Sequence, residues 1–261
     1  MPDARIDNVT LHYETAGQGQ RLLFLNGLGM SIRDWEKQVD YFSKSYQVIT
    51  FDYRGQGGSD KPPGPYSIPL FHDDTVRLLR SIDAWPVHVV GLSMGGLIAF
   101  QMAVSHPEML RSMVIVNSGP DLTRRTPGQK FELLKRRFIV RVFGMRVMAK
   151  IMAHRLFPEK GQENIRGEIA QRWARNDRKA YGNTIRALRD WSVLNHLGEI
   201  RCPTLVIAAD RDYTPVSYKQ YYVSRMPDAK LAVIANSRHF TPLDQPESFN
   251  ATVAEFLKAH S

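Results

Sequence analysis

The stretch from Val87 to Phe100, Val-His-Val-Val-Gly-Leu-Ser-Met-Gly-Gly-Leu-Ile-Ala-Phe, constrains the fold more than any other part of the chain. A short β-branched run ends at Ser93, with Gly91 and Gly95 two residues away on either side, and a small-residue, apolar helical pattern begins at once. Gly-x-Ser-x-Gly in this strand-turn-helix setting describes a turn so sharp that only residues without a Cβ fit where strand and helix nearly touch. The turn strains the serine backbone and aims its hydroxyl away from the sheet. It also leaves that hydroxyl beside the free N–H groups and positive dipole end of the following helix. Five residues of this pattern also occur in ordinary tight turns, so the flanking strand and helix carry the argument.

The stretch resembles the nucleophile elbow of the α/β-hydrolase superfamily. That resemblance implies an α/β fold: a mostly parallel, eight-stranded sheet flanked by helices, with an inserted helical cap. It also requires an acid and a histidine downstream, in the order Ser, Asp/Glu, His. A second match is Asp52-Tyr53-Arg54-Gly55-Gln56-Gly57-Gly58-Ser59, which fits the superfamily's Asp-x-Arg-Gly-x-Gly-x-Ser loop. Asp52 and Arg54 read there as structural charges that satisfy each other and the backbone. A third is the apolar run Leu22-Leu23-Phe24-Leu25 leading into Asn26-Gly27-Leu28-Gly29. In the superfamily this loop supplies a backbone N–H to the oxyanion hole, which carried over makes the N–H groups of Leu28 and Met94 the two donors. Asn26 stands where histidine is usual, so the hydrogen bonding behind the loop must differ, and this version resembles the enol-lactonase branch.

The strand Thr204 to Ala209 runs into Asp210-Arg211-Asp212-Tyr213-Thr214-Pro215. The superfamily's Gly-x-x-Asp followed by proline implies Asp212 as the acid, with Ala209 in the glycine position; its rival, Asp210, reads as a turn carboxylate. His239, in Asn236-Ser237-Arg238-His239-Phe240-Thr241-Pro242, matches the family's histidine after the last strand. Only His260 also follows the acid, and it is the penultimate residue of a tail expected to fray. By this resemblance Ser93 attacks an acyl carbon, His239 takes its proton, and Asp212 orients the imidazole. The implied oxyanion donors are each worth about 3 kcal/mol of barrier. No metal or organic cofactor is called for.

At 261 residues and 43% hydrophobic content, the chain can bury one large core. No apolar leader follows Met1, and no run approaches the roughly 20 apolar residues of a membrane span, so a soluble, cytoplasmic protein is expected. The lone Cys202 cannot form an internal disulfide and reads as a buried, inert thiol. Residues 1–120 and 191–261 carry the α/β core pattern, whereas 121–190 lose strands and become helical, as expected of a cap. Met145, Met148, Ala149 and Met152 follow i, i+3, i+4, i+7 spacing, a packing stripe whose methionines are also candidates for an apolar substrate pocket. The segment 121–190 holds 18 Lys and Arg against 7 Asp and Glu, while the rest of the chain holds 17 against 19, so the overall +9 belongs to the insertion. The charge either solvates the cap or attracts an anionic substrate or surface. No nucleic-acid-binding motif accompanies it.

The leading functional reading is a serine carboxylesterase for small to medium esters. Its alternative is an enol-lactone hydrolase such as 3-oxoadipate enol-lactonase, which the stretches Asn26 to Gly29, Gly64 to Ile68 and Gly91 to Ile98 resemble. A ligand receptor on the same scaffold is the remaining class. The expected partner is a small-molecule ester or lactone.

Overall fold

The computed structural model describes residues 2–123 and 126–261. In chain order the elements are β1 Asp3–Ile6, β2 Val9–Ala16, β3 Gln20–Leu25, α1 Glu36–Phe42, β4 Tyr46–Phe51, α2 Ile68–Ser81, β5 Val87–Leu92, α3 Met94–Ser105 and β6 Leu110–Val116. Three helices follow, α4 Pro127–Leu156, α5 Glu163–Trp173 and α6 Arg178–Ala187. The chain ends with β7 Thr204–Ala209, α7 Val216–Val223, β8 Ala229–Ile234, α8 Thr241–Asp244 and α9 Pro246–Lys258.

The eight strands form one sheet in the order β1-β2-β4-β3-β5-β6-β7-β8. The β1–β2 and β2–β4 pairs are antiparallel; every pair from β4–β3 to β7–β8 is parallel. Parallel strands covered on both faces need continuous apolar sequence, and β5 and β7 are buried at every residue. From β3 the chain crosses back to β4, then forward over β3 to β5. With right-handed crossovers these opposite moves put α1 on one face and α2 and α3 on the other. The loops after β3 and β5 therefore diverge at the carboxyl ends of two adjacent strands, a topological switch point where ligands bind in such sheets.

Local chemistry sets the element ends. Ser67 accepts the Leu70 N–H at 3.1 Å and so caps α2, with Pro69 in the first turn. Thr126 and Gln129 form a capping box at the start of α4, and Gly144, at φ 77°, kinks that helix midway. Between β6 and β7 the chain is helical and inserted in the sheet's connectivity. Where it leaves and rejoins, Leu122 N–H donates to Trp191 O at 2.8 Å and Val193 N–H to Pro120 O at 2.9 Å.

One sequence expectation is corrected here. Asp52 and Arg54 do not pair with each other. Arg54 reaches across to α2 and binds both oxygens of the buried Asp74 at 2.6 Å, while Asp52 accepts the Ile32 and Gly58 N–H groups at 2.9 and 2.8 Å. With Tyr53 between them, the two charges turn to different partners, Arg54 to a carboxylate on α2 and Asp52 to backbone N–H groups of its own loop and of the turn at Ile32. Cys202 is buried, and that burial pushes its thiol up to about 11.

Candidate active site

Ser93 has φ 54° and ψ −112°, a conformation an L-residue adopts only under constraint. The constraint comes from both sides. A Cβ on Gly95 would lie 2.1 Å from Leu25 O, and one on Gly91 would lie 2.5 Å from the Gly95 carbonyl carbon, so neither glycine can be replaced without moving β5 or α3. Ser93 N–H donates to Val116 O at 2.9 Å and Ser118 Oγ donates to Ser93 O at 2.6 Å, so β6 pins the strained residue in place.

The loop after β3 lies against this turn: a Cβ on Gly27 would be 3.6 Å from Ser93 Cβ. Asn26 is buried and anchors the loop from behind, donating to Phe51 O at 2.9 Å and accepting from Trp35 Nε1 at 2.8 Å. An amide bridges β4 and Trp35 in this way because it both donates and accepts. Among the described residues, neither the Leu28 nor the Met94 N–H donates to a protein acceptor.

On the far side of the switch point, His239 Nδ1 lies 2.8 Å from Asp212 Oδ1, and the Asp212 side chain is fully buried. Burial alone pushes the carboxyl up, but His239 and then Lys219 and Thr214 outweigh it and hold Asp212 well below the ordinary carboxylate range. Lys219, on α7, is a partner that sequence reading missed. Its buried ammonium lies 2.9 Å from Asp212 Oδ2 and donates to Thr214 O at 2.5 Å, and burial lowers its own proton affinity. Asn117, at the end of β6 with φ 46°, was also missed. Its Nδ2 donates to His239 O at 2.9 Å and to Thr241 Oγ1 at 2.8 Å while its Oδ1 accepts from Ala209 N–H at 2.8 Å, tying the acid loop to the histidine loop. Asp210 points elsewhere: it accepts the Asn236 and Ser237 N–H groups, each at 2.9 Å, and so holds the turn before His239.

The structure thus brings Asp212 and His239 together, but Ser93 and His239 do not hydrogen-bond directly. The Tyr213 hydroxyl lies 2.5 Å from His239 Nε2, and the Ser93 side chain is close enough to ease its ionisation. Its ring stacks on the imidazole with centroids 4.1 Å apart, and the Arg155 guanidinium of α4 lies 5.3 Å from the ring centre. Burial of the hydroxyl, then the Asp212 charge, pushes the phenol well above its ordinary value, so it stays a neutral donor. The charges of Arg136 and Arg155 also reach it. Arg136, again on α4, binds the Tyr181 hydroxyl through Nε at 2.7 Å, and the Tyr181 ring in turn packs where a Cβ on Gly29 would be, 2.9 Å away. Two cap arginines therefore border the site beside the candidate oxyanion loop.

Met145, Met148 and Met152 are buried in the hydrophobic core. Among the described residues no three His, Cys, Asp or Glu side chains are grouped to hold a metal ion, and no helix is long and apolar enough to cross a membrane.

A strained serine after β5, a histidine and acid after β8 and β7, and a helical insertion after β6 define an α/β hydrolase. The chain belongs to the alpha/beta hydrolase fold family, whose model matches residues 20–246. It is 30% identical to 3-oxoadipate enol-lactonase 2 of Acinetobacter baylyi over 257 residues, covering 96% of this chain and 94% of that protein. It is 28% identical to the (E)-2-((N-methylformamido)methylene)succinate hydrolase of the same organism, covering 97% and 95%. The enol-lactonase of Burkholderia xenovorans LB400 shares the fold with a TM-score of 0.91 at 24% identity, covering 98% of this chain and 100% of that one. Est816, described as an N-acyl homoserine lactone degrading enzyme, superposes with a TM-score of 0.83 at 28% identity, covering 98% and 100%.

Proposed function

We propose that this hydrolase cleaves a small carboxylic ester or lactone that itself carries a carboxylate, through an acyl-enzyme on Ser93, with residues 121–190 as the lid. The observation that supports this reading is the buried Asp212–His239 pair on the carboxyl-end side of the sheet where the strained Ser93 also lies, with Arg155 stacked over Tyr213 and Arg136 on Tyr181. A neutral ester remains the second reading, favoured by the buried Met145, Met148 and Met152 stripe as an apolar acyl site.

In the proposed reaction Tyr213, a half-exposed residue, first turns away. Ser93 Oγ then attacks the carbonyl carbon as its proton passes to His239 Nε2, and Asp212 stabilises the resulting imidazolium. The carbonyl oxygen takes the negative charge between the Leu28 and Met94 N–H groups. Collapse breaks the bond to the leaving oxygen, which takes the proton from His239; in a lactone that oxygen stays tethered to the acyl chain. Water, deprotonated by His239, releases the acid and restores Ser93. The relatives named for enol-lactone and succinate-derivative hydrolysis support the carboxylate-bearing class.

The test is turnover across a panel of neutral esters, carboxylate-bearing esters, 3-oxoadipate enol-lactone and N-acyl homoserine lactones. The highest kcat/KM is expected on a carboxylate-bearing ester or lactone. Preference for neutral esters would favour the second reading, and binding without turnover would place the chain among receptors.

A further inference from the structure

The first half of α4, residues 127–143, carries an apolar face that points away from the protein. Phe131, Leu134, Phe138 and Val142 are 63, 52, 60 and 52% exposed. At 100° per residue they fall within an arc of about 80°, opposite the buried Val140. Large apolar side chains singly exposed are ordinary, but four in one stripe mark a contact surface. Lys130, Arg137 and Arg141 flank the stripe on one side and Lys135 on the other.

Leu134 and Phe138 of the stripe also form part of the wall of an open groove of about 770 Å³ between α4, α6 and the 61–64 loop. Lys61, Arg137, Arg141, Arg178, Lys179 and Arg186 line it, and its one acidic residue, Asp177, is engaged as the N-cap of α6, accepting the Ala180 N–H at 2.7 Å. The acid of the helix itself, Glu132, pairs with Lys135 and Arg155. Among the described residues neither Arg137 nor Arg141 has a carboxylate within ion-pair distance. Partial burial, then the charges of Arg186, Arg189 and Arg141, holds the Arg137 guanidinium below its ordinary value, so the groove repels its own cations.

We infer that this face docks on an anionic lipid bilayer, with Phe131, Leu134, Phe138 and Val142 entering the interface and the groove arginines meeting lipid phosphates. An exposed apolar stripe bordered by cations is what an interfacial helix requires. Charge decides the occupant. A second copy would bring two such basic grooves together, whereas an anionic surface neutralises them. The inference is independent of the chemistry at Ser93.

The experiment is co-sedimentation of the full chain with vesicles of phosphatidylcholine alone and of phosphatidylcholine mixed with phosphatidylglycerol, at low and physiological salt. Binding is expected on the phosphatidylglycerol vesicles, weaker at higher salt, and at least roughly tenfold weaker on phosphatidylcholine alone. Phe131→Ser with Phe138→Ser, and separately Arg137→Gln with Arg141→Gln, should each lower binding by roughly tenfold or more while thermal melting stays unchanged. The arginine pair stands as the test should the phenylalanine pair misfold. No binding to phosphatidylglycerol vesicles, equal binding to both lipids, or binding indifferent to these substitutions overturns the inference. So does light scattering that shows a dimer dissociated by the phenylalanine substitutions, which would assign the face to a second copy.

Discussion

The Tyr213 hydroxyl lies 2.5 Å from His239 Nε2, in the position that a serine must occupy to hand its proton to the imidazole. The phenol competes with Ser93 for that nitrogen, and a neutral hydrogen bond of this kind is worth on the order of 1 kcal/mol. Tyr213→Phe keeps the ring stacked on His239 and deletes the competitor. The second-order rate of Ser93 acylation should therefore rise roughly three- to tenfold. A fall of tenfold or more would instead make the phenol a proton relay between Ser93 and His239.

The acid is tested by contrast. Asp212→Asn removes the carboxylate that orients His239 and should lower kcat by roughly 10⁴-fold, whereas Asp210→Asn, which loosens only the turn at Asn236 and Ser237, should change kcat little. Equal losses, or a larger loss at Asp210, would reassign the acid.

Lys219 and Asp212 form an ion pair with both side chains fully buried. Removing Lys219 takes the ammonium partner from the buried Asp212 carboxylate and leaves it the His239, Thr214 and Tyr213 N–H contacts, so Lys219→Met should cost about 3 kcal/mol of stability by denaturant unfolding. A loss below about 1 kcal/mol would show that solvent replaces the ammonium at that carboxylate.

Much of the site was legible because its parts are local. The elbow, the Asn26 loop and the Asp-x-Arg-Gly loop each announce themselves within eight residues, since glycine is the only residue their turns admit. Lys219 was not legible. It follows Asp212 by seven residues across a loop and a helix turn, and nothing in local spacing says that its ammonium turns inward to the carboxylate. Asn117 was hidden for the same reason, since its partners, Ala209 and His239, are distant in sequence and meet it only when β6 and β7 pair. Tyr213 stood beside the acid in plain view, but whether it faces solvent or the serine depends on the backbone path through Thr214 and Pro215. The pairing of Arg54 with Asp74 rather than Asp52 is likewise a tertiary fact, set by α2 packing behind the loop.

His88, buried in β5, bonds Ser112 Oγ through Nδ1 and Gln20 Oε1 through Nε2, each at 2.8 Å, and burial, then Arg111 and His260, pushes it down to about 4. The folded value lies below the ordinary value of 6.5, so the unfolded chain takes up its proton first as pH falls. The stability this residue contributes is thus whole above about pH 6.5 and lost between about 6.5 and 4, on the order of 3 kcal/mol in all. His88→Gln should flatten the unfolding free energy across that window relative to the parent chain. Parallel pH profiles would contradict it.

Substrate class follows the arginines. If Arg136 receives a carboxylate, Arg136→Gln should raise KM for a carboxylate-bearing substrate by roughly tenfold or more and leave neutral esters nearly unchanged. In the parent chain, kcat/KM for the charged substrate should fall with salt as screening shortens to about 8 Å at physiological ionic strength. Salt-independent turnover of both classes would return the insertion's charge to the role of a solvated face.

The central claim is that Ser93 is the covalent nucleophile, and active-site labelling tests it most directly. The parent protein, incubated with a fluorophosphonate and mapped by mass spectrometry, should carry one adduct, on Ser93, and Ser93→Ala should carry none. An adduct on another residue, or labelling that survives Ser93→Ala, would contradict the account.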